Sequence, residues 1–291
     1  MIGVFGDLTL DVAVRSHGPL QIGSDVTGVI SYRGGGSAAN CAAWLGSFGC
    51  DVRFWCAVGQ DLVGTNLVLE LEEYGVEMWV TEKESPTGTI LLFLDDTGER
   101  TMVTSRGANL QLRPEDLPEE FLVDLEHLHV TGYSLFGSED LLKTTMTLLQ
   151  KARQLGVQTS VDPSSYALLA EFGVERFLDI TRGANLVFPN LDEGRVLTGS
   201  QDPDSIVKEL QKWYDRVILT MGPQGCLCAT NGELVRVATT EVEVVDTTGA
   251  GDAFAAGFLH ALLSGADLVE SAHFANKVAS DCVQHYGGRP T

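Results

Sequence analysis

The sequence is poor in positive charge. It carries 19 Lys and Arg against 40 Asp and Glu, a formal net charge of −21. Nucleic-acid binding rests on neutralising phosphates with Lys and Arg, so this balance argues against a nucleic-acid partner, and equally against an anionic membrane. An anionic ligand must then be attracted locally, by main-chain amides, a metal ion or a few basic side chains. Long apolar runs are missing as well. No stretch reaches the roughly 18 apolar residues of a membrane span, and no leader precedes the first apolar strand, which reads as a soluble cytoplasmic protein. Cysteine is sparse, with 6 residues and no C-x-x-C pair; scattered in this way they read as reduced, buried small hydrophobes. The 6 histidines show no metal-ligand spacing, and His127 and His129 read as one face of a strand. Proline is scattered, and no linker divides the 291 residues, so one core with insertions over 1–291 is favoured over two domains. No G-x-G-x-x-G follows the first strand and no G-x-x-x-x-G-K-[ST] occurs, which argues against a dinucleotide oxidoreductase and a P-loop ATPase.

What is present is organised around residues 245–254, Val-Asp-Thr-Thr-Gly-Ala-Gly-Asp-Ala-Phe. Val242, Val244 and Val245 run into it and a small-residue apolar run leaves it, a pattern that predicts strand, tight glycine turn and helix. Gly249 and Gly251 leave the backbone bare, and the first helical turn offers unsatisfied N–H groups at a positive dipole end. Together these make a phosphate site. A carboxylate there would repel phosphate, so Asp252 suggests a base that takes a proton from a hydroxyl attacking the phosphorus. The plainer use of the same residues is a capped helix start packed closely on a sheet.

Elsewhere the pattern alternates strand and helix. Residues 1–6, 52–58, 76–81, 127–132, 157–161, 186–188 and 216–220 read as strands. Helices are expected from about 37 to 48, over 65–74, and over 139–155 with Ser138 as cap and Gly156 as stop. Strands at 226–230, 234–237 and 241–245 follow. Such βα alternation predicts a mainly parallel sheet with helices on both faces. Two stretches differ: 12–33 and 87–104 alternate apolar and polar and read as half-buried antiparallel strands, the second with a hairpin turn at 95–99.

The decapeptide resembles the signature of the ribokinase-like (PfkB) family of carbohydrate kinases. The resemblance implies a ribokinase-like three-layer α/β/α fold with a mainly parallel sheet and a small β lid, inserted at about 11–33 and 87–104. It implies an ATP-dependent transfer of phosphoryl to a sugar hydroxyl. Asp252 is then the catalytic base, and the amides of Gly249, Ala250 and Gly251 hold the transferring group. Gly34-Gly35-Gly36-Ser37-Ala38-Ala39-Asn40 resembles the second family signature. There Gly35 and Gly36 let the backbone approach the sugar and Asn40 meets its hydroxyls. Ser37 stands where ribokinases proper usually have lysine, which argues against ribose. Asp11 matches the sugar-binding aspartate, and Asp7 is a weaker match. Gly107-Ala108-Asn109 is similar to a family segment near the sugar. The neighbouring Arg106 is suited to pairing with a substrate carboxylate or phosphate, or is a surface residue.

On the nucleotide side, Asn190-Leu191-Asp192-Glu193 resembles the Asn-x-x-Glu motif, in which Glu193 helps hold Mg2+ beside the phosphates; a helix-capping arrangement is the other reading. Thr220, Gly222 and Gly225 match a Thr-x-Gly-x-x-Gly that lines the nucleotide, with Thr248 beside it and Asn276 near adenine. Asp246, the Thr248 carbonyl and residues 285–288 resemble a monovalent-cation site, so K+ joins ATP and Mg2+ among the implied cofactors. Some relatives pair their lids, which implies a homodimer. A nucleoside kinase of the same superfamily and a non-catalytic sugar- or nucleotide-binding sensor stay open. So does the acceptor itself, whether pentose, hexose, keto-deoxy acid or nucleoside.

Overall fold

The computed structural model describes every residue except 20–22 and 95–99, and only the backbone of Leu94 and Arg100. The turn expected at 95–99 lies outside the described residues. In chain order the strands are β1 (Ile2–Phe5), β2 (Thr9–Ser16), β3 (Gly28–Gly35), β4 (Val52–Gly59), β5 (Val76–Lys83), β6 (Gly88–Leu94), β7 (Arg100–Ser105), β8 (His127–Thr131), β9 (Gln158–Asp162), β10 (Leu186–Val187), β11 (Arg216–Thr220), β12 (Cys226–Thr230) and β13 (Glu233–Val237). The helices are α1 (Ser37–Ser47), α2 (Leu62–Glu73), α3 (Glu139–Gln154), α4 (Tyr166–Phe172), α5 (Val174–Thr181), α6 (Leu191–Thr198), α7 (Pro203–Leu210), α8 (Ala250–Leu263) and α9 (Leu268–Cys282).

The larger sheet runs β13-β12-β11-β10-β9-β8-β1-β4-β5. It is parallel from β11 to β5, with β12 and β13 added as an antiparallel edge. β1 lies between β4 and β8, with Ile2 opposite Val52 and His127. All four β1 residues are buried, as expected of a strand covered on both faces. Successive side chains point to opposite sides. Val4 joins the core made with Ala42, Leu45, Phe258 and Ala275 of α1, α8 and α9. Phe5 joins the core made with Trp55, Leu128 and Leu148 of β4, β8 and α3. Helices therefore cover both faces, and strand C-terminal ends gather along one edge.

The smaller sheet runs β3-β2-β6-β7. β2 pairs antiparallel with β3, placing Asp11 opposite Arg33, and parallel with β6, placing Asp11 opposite Ile90. Residues 12–33 read as half-buried, yet β3 is mostly exposed: Val29, Ile30 and Tyr32 are 58%, 54% and 66% accessible.

Two element expectations need correction. Residues 241–245 form no strand. Their β-branched residues find no partner strand; instead the Val245 and Asp246 amides both donate to the Val283 carbonyl (2.8 and 3.2 Å) just past α9. The helix expected from 65 starts at Leu62, because the Asp61 side chain accepts from the Gly64 amide and caps it three residues earlier. Among the described residues no helix is long and apolar enough to cross a membrane.

Candidate active site

A cavity of about 820 Å³ opens between the C-terminal edge of the large sheet and the small sheet. Ile90, Leu92 and Met102 line it from the small sheet, Asp162 and Thr220 from the large one, and residues 247–252 from the turn into α8. Asp7, Asp11, Gly36, Ser37, Asn40, Arg106, Asn190 and Glu193 complete its polar wall.

The turn into α8 brings Thr248, Gly249, Ala250 and Gly251 to this wall. Gly249 is the N-cap at φ 75°. A side chain there would be strained and would collide with the Gly288 backbone. The amides of Gly251 and Asp252 stand in the first turn, where a helix leaves N–H groups without intrahelical acceptors. Asp252 lines the cavity beside them. Ser37 Oγ donates to its Oδ1 (2.6 Å) and Asn40 Nδ2 to its Oδ2 (2.8 Å). Ser37 is the first residue of α1, and Gly36 is the N-cap at φ 96°, where a Cβ would strike the Asp7 carbonyl. Burial, opposed by the Ser37 and Asn40 hydrogen bonds and reinforced by the charges of Asp162 and Asp11, leaves the Asp252 carboxyl raised to about 7. A carboxylate of that basicity suits proton abstraction near neutral pH. Asn40 Oδ1 is buried and among the described residues has no hydrogen-bond partner, which leaves an acceptor for a hydroxyl.

On the acceptor side, burial pushes Asp11 up to about 6, opposed by the Thr9 hydroxyl (3.1 Å) and the positive charge of Arg289. Gly35 is off the cavity lining, but a Cβ on it would meet the Asp11 carboxyl. Arg106 reaches the cavity but does not offer a free fork to a substrate anion. Its Nε and Nη2 grip Asp7 at 2.9 and 2.7 Å, Nη2 also donates to the Tyr133 carbonyl (2.7 Å), and Nη1 donates to the Phe136 carbonyl.

On the opposite side, Asn190 caps α6 by accepting from the amides of Asp192 and Glu193 at 3.0 Å, and Glu193 Oε2 accepts from the Asn190 amide at 2.9 Å. The capping box is therefore real, and it holds a carboxylate at the cavity wall. Glu193 is 2% exposed; burial first, then the charge of Asp162, pushes its carboxyl up, and burial pushes Asp162 up as well. Two crowded, buried carboxylates with hard oxygen donors fit Mg2+. Among the described residues no group of three or more side-chain ligands occurs, so waters and phosphate oxygens would have to complete the shell of such an ion.

The remaining expected residues separate. Thr220 lines the cavity; Gly222 and Gly225 do not. Gly225, at φ 79°, instead passes so close to Val237 that a Cβ would strike its carbonyl. Asn276 also lies off the cavity. It is 6% exposed, and its amide donates to the carbonyls of Val237 (3.2 Å) and Ala238 (3.3 Å), tying α9 to the chain after β13 rather than meeting a base. Asp246 accepts from the Thr248 amide and hydroxyl (2.9 and 2.8 Å) and from the Gly287 amide (3.1 Å), so it organises the loop behind the cradle. Sequence reasoning missed Ser37 as a partner of Asp252; it places Asp162 at the same strand edge as Asn190 but gives it no role beside Glu193. Asp162 had a visible signal, an acidic residue at the end of a buried strand.

Comparison with known proteins identifies the family. Residues 1–291 match the profile of the pfkB family carbohydrate kinases over the whole chain. The chain belongs to the pfkB family. Like its relatives it has the ribokinase-like α/β fold, and it is a phosphotransferase acting on a hydroxyl group. It is 30% identical over 274 residues to a fructokinase from Salmonella typhimurium, covering 90% of this chain and 84% of that one. It is 28% identical over 306 residues to a ribokinase from Bacillus subtilis, covering 100% of this chain and 96% of that one. The solved adenosine kinase from Sinorhizobium meliloti superposes with a TM-score of 0.89 at 25% identity, covering 99% of this chain and 95% of that one.

Proposed function

We propose that this pfkB kinase transfers the γ-phosphoryl group of ATP to a sugar hydroxyl, with Asp252 as general base. One observation carries the reading: Asp252 lines the cavity beside the amides at the start of α8, with each carboxylate oxygen already oriented by one donor. A carboxylate has about four lone-pair sites, so both oxygens keep room for an incoming hydroxyl. As the acceptor oxygen bonds to the γ-phosphorus, the bond from that phosphorus to the β-bridging oxygen breaks and ADP leaves. Asp252 receives the hydroxyl proton. The transition state is loose, so positioning and charge stabilisation carry most of the catalysis. The amides of residues 249–251 would stabilise the equatorial oxygens. Glu193 and Asp162 would hold Mg2+, which when bound supplies charge neutralisation at the phosphates. The small sheet would close over the acceptor and exclude water.

The single domain over 1–291, a homodimer through the exposed face of the small sheet and K+ at the Asp246 loop belong to the same proposal. So does a cytoplasmic location, supported by all six cysteines being unpaired. A nucleoside acceptor is the second reading, favoured by the apolar lining of Ile90, Leu92, Met102 and Leu110. The test is ADP release measured with D-ribose, D-fructose, 2-keto-3-deoxy-D-gluconate and adenosine. The proposal expects release that depends on at least one acceptor. ATP hydrolysis indifferent to every acceptor would contradict it.

A further inference from the structure

The chain after α9 returns to the centre of the molecule. The Gly288 carbonyl accepts from Trp44 Nε1 of α1 (2.9 Å), and the Pro290 carbonyl accepts from the Tyr74 hydroxyl at the end of α2 (2.8 Å). Gly288 abuts both Gly249 and the Asn40 side-chain amide, so that a single Cβ on it would strike the two together. Arg33, at the base of the small sheet, stacks over the Tyr286 ring with its guanidinium carbon 5.5 Å from the centroid. Arg289 goes deepest. It is 8% exposed, its Nη2 donates to the Gly35 carbonyl (3.1 Å), and its Nη1 lies 2.7 Å from Glu70 Oε1 of α2.

A buried guanidinium is costly to desolvate and is kept only where its geometry returns the cost. Here its two ends touch different elements. Gly34 and Gly35 end β3, where the small sheet joins α1, and Gly35 faces Thr9 of β2. Gly34 has no room for a side chain because the Arg289 guanidinium occupies it, and Gly35 has none because the Asp11 carboxyl occupies it. Gly35 is thus clasped between Arg289 and Asp11, while the ion pair with Glu70 joins Arg289 to α2.

We propose that Arg289 is a positioning residue for the acceptor subsite: it pins the hinge of the small sheet at Gly35 to α2 and so sets the place of Asp11. Residues 286–289 join that hinge to the Gly249 cradle, which gives the acceptor side and the phosphoryl side a common support. The assignment of Asp11 to the acceptor rests on the function proposed above; the pinning of the hinge does not.

The experiment compares wild type with Arg289→Ala, Arg289→Lys and Glu70→Gln. The first readout is amide hydrogen exchange of the free protein. Exchange in 9–12 and 33–37 should quicken in Arg289→Ala and Glu70→Gln, with β8, β9 and β11 unchanged and Arg289→Lys intermediate. The second is kinetics with the best acceptor from the four above. The acceptor KM should rise about tenfold, the scale of one lost charged hydrogen bond, with the ATP KM within about twofold. Unchanged exchange at the hinge overturns the proposal. So does a uniform rise in exchange across both sheets in Arg289→Lys and Glu70→Gln, which would make the residue a general stabiliser. Quickened hinge exchange with no change in acceptor KM overturns the acceptor role alone. Failure of Asp252 as base shows elsewhere, in Asp252→Asn, and leaves the exchange result standing.

Discussion

Ser37 Oγ donates a 2.6 Å hydrogen bond to Asp252 Oδ1, joining residues 215 positions apart in the chain. The bond stabilises the ionised carboxylate, against a burial that pushes the group up to about 7. Removing the donor therefore raises the pKa and protonates the base at neutral pH. Ser37→Ala should move the acidic limb of the kcat/KM profile to higher pH by about one pH unit. The loss at pH 7 should be largely restored at pH 8.5. An unmoved limb would make the hydroxyl a bystander.

Glu193→Gln should raise the Mg2+ concentration for half-maximal activity, and Asp162→Asn should act in the same direction. Each removes one of two oxygen-donor carboxylates at that wall, and the carboxamide is a weaker ligand for a hard cation. Isothermal titration of Mg2+ in the presence of ADP gives the same comparison without turnover. Titrations that coincide with wild type would remove both residues from the ion's site.

Gly249→Ala places a Cβ at φ 75° against Gly288. The expected cost is at least about 1 kcal/mol of stability from the backbone alone, seen as a lower urea midpoint. Activity should fall further than the folded fraction, since the cradle amides shift with the turn. Equal midpoints in urea melts would show that the turn accommodates the methyl group.

His127 Nε2 and His129 Nδ1 both meet Ser160 Oγ, at 2.7 and 2.8 Å, in the fully buried centre of the sheet. Burial lowers them to about 3 and about 4. Both are neutral in the folded protein across the range where an unfolded chain takes up protons, near pH 6.5 and below. Their depressed values give stability that is full above pH 6.5 and is lost as pH falls towards 4. The raised carboxyls of Asp11 and Asp252 act in the opposite sense over part of that range. The difference between proteins is therefore the useful quantity. The fall in urea midpoint from pH 7 to pH 5 should be smaller in His129→Asn than in wild type. Identical falls would contradict the buried neutral pair.

Within the stretch 245–254 the glycine turn and helix start were legible because their chemistry is local: glycines, helix start and carboxylate lie within one turn. The same holds for Ser138 capping α3, whose hydroxyl accepts from the Leu141 amide at 3.1 Å. What escaped was set by distance along the chain. Nothing near Arg289 points to Glu70 or Gly35, and nothing near Arg106 announces that Asp7 will occupy its fork. Residues 241–245 misled because β-branched alternation expresses a preference that only a neighbouring strand can realise. Asn276 misled differently, since an asparagine satisfied by two carbonyls carries the same letter as one that awaits a base.

The most direct measurement is turnover by Asp252→Asn, made alongside ATP binding. The substitution keeps the shape and the contacts to Ser37 and Asn40 within reach, while removing the proton acceptor. The account predicts a fall in kcat of about 10²–10⁴ or more, with ATP affinity largely kept. Turnover near the wild-type value would contradict it.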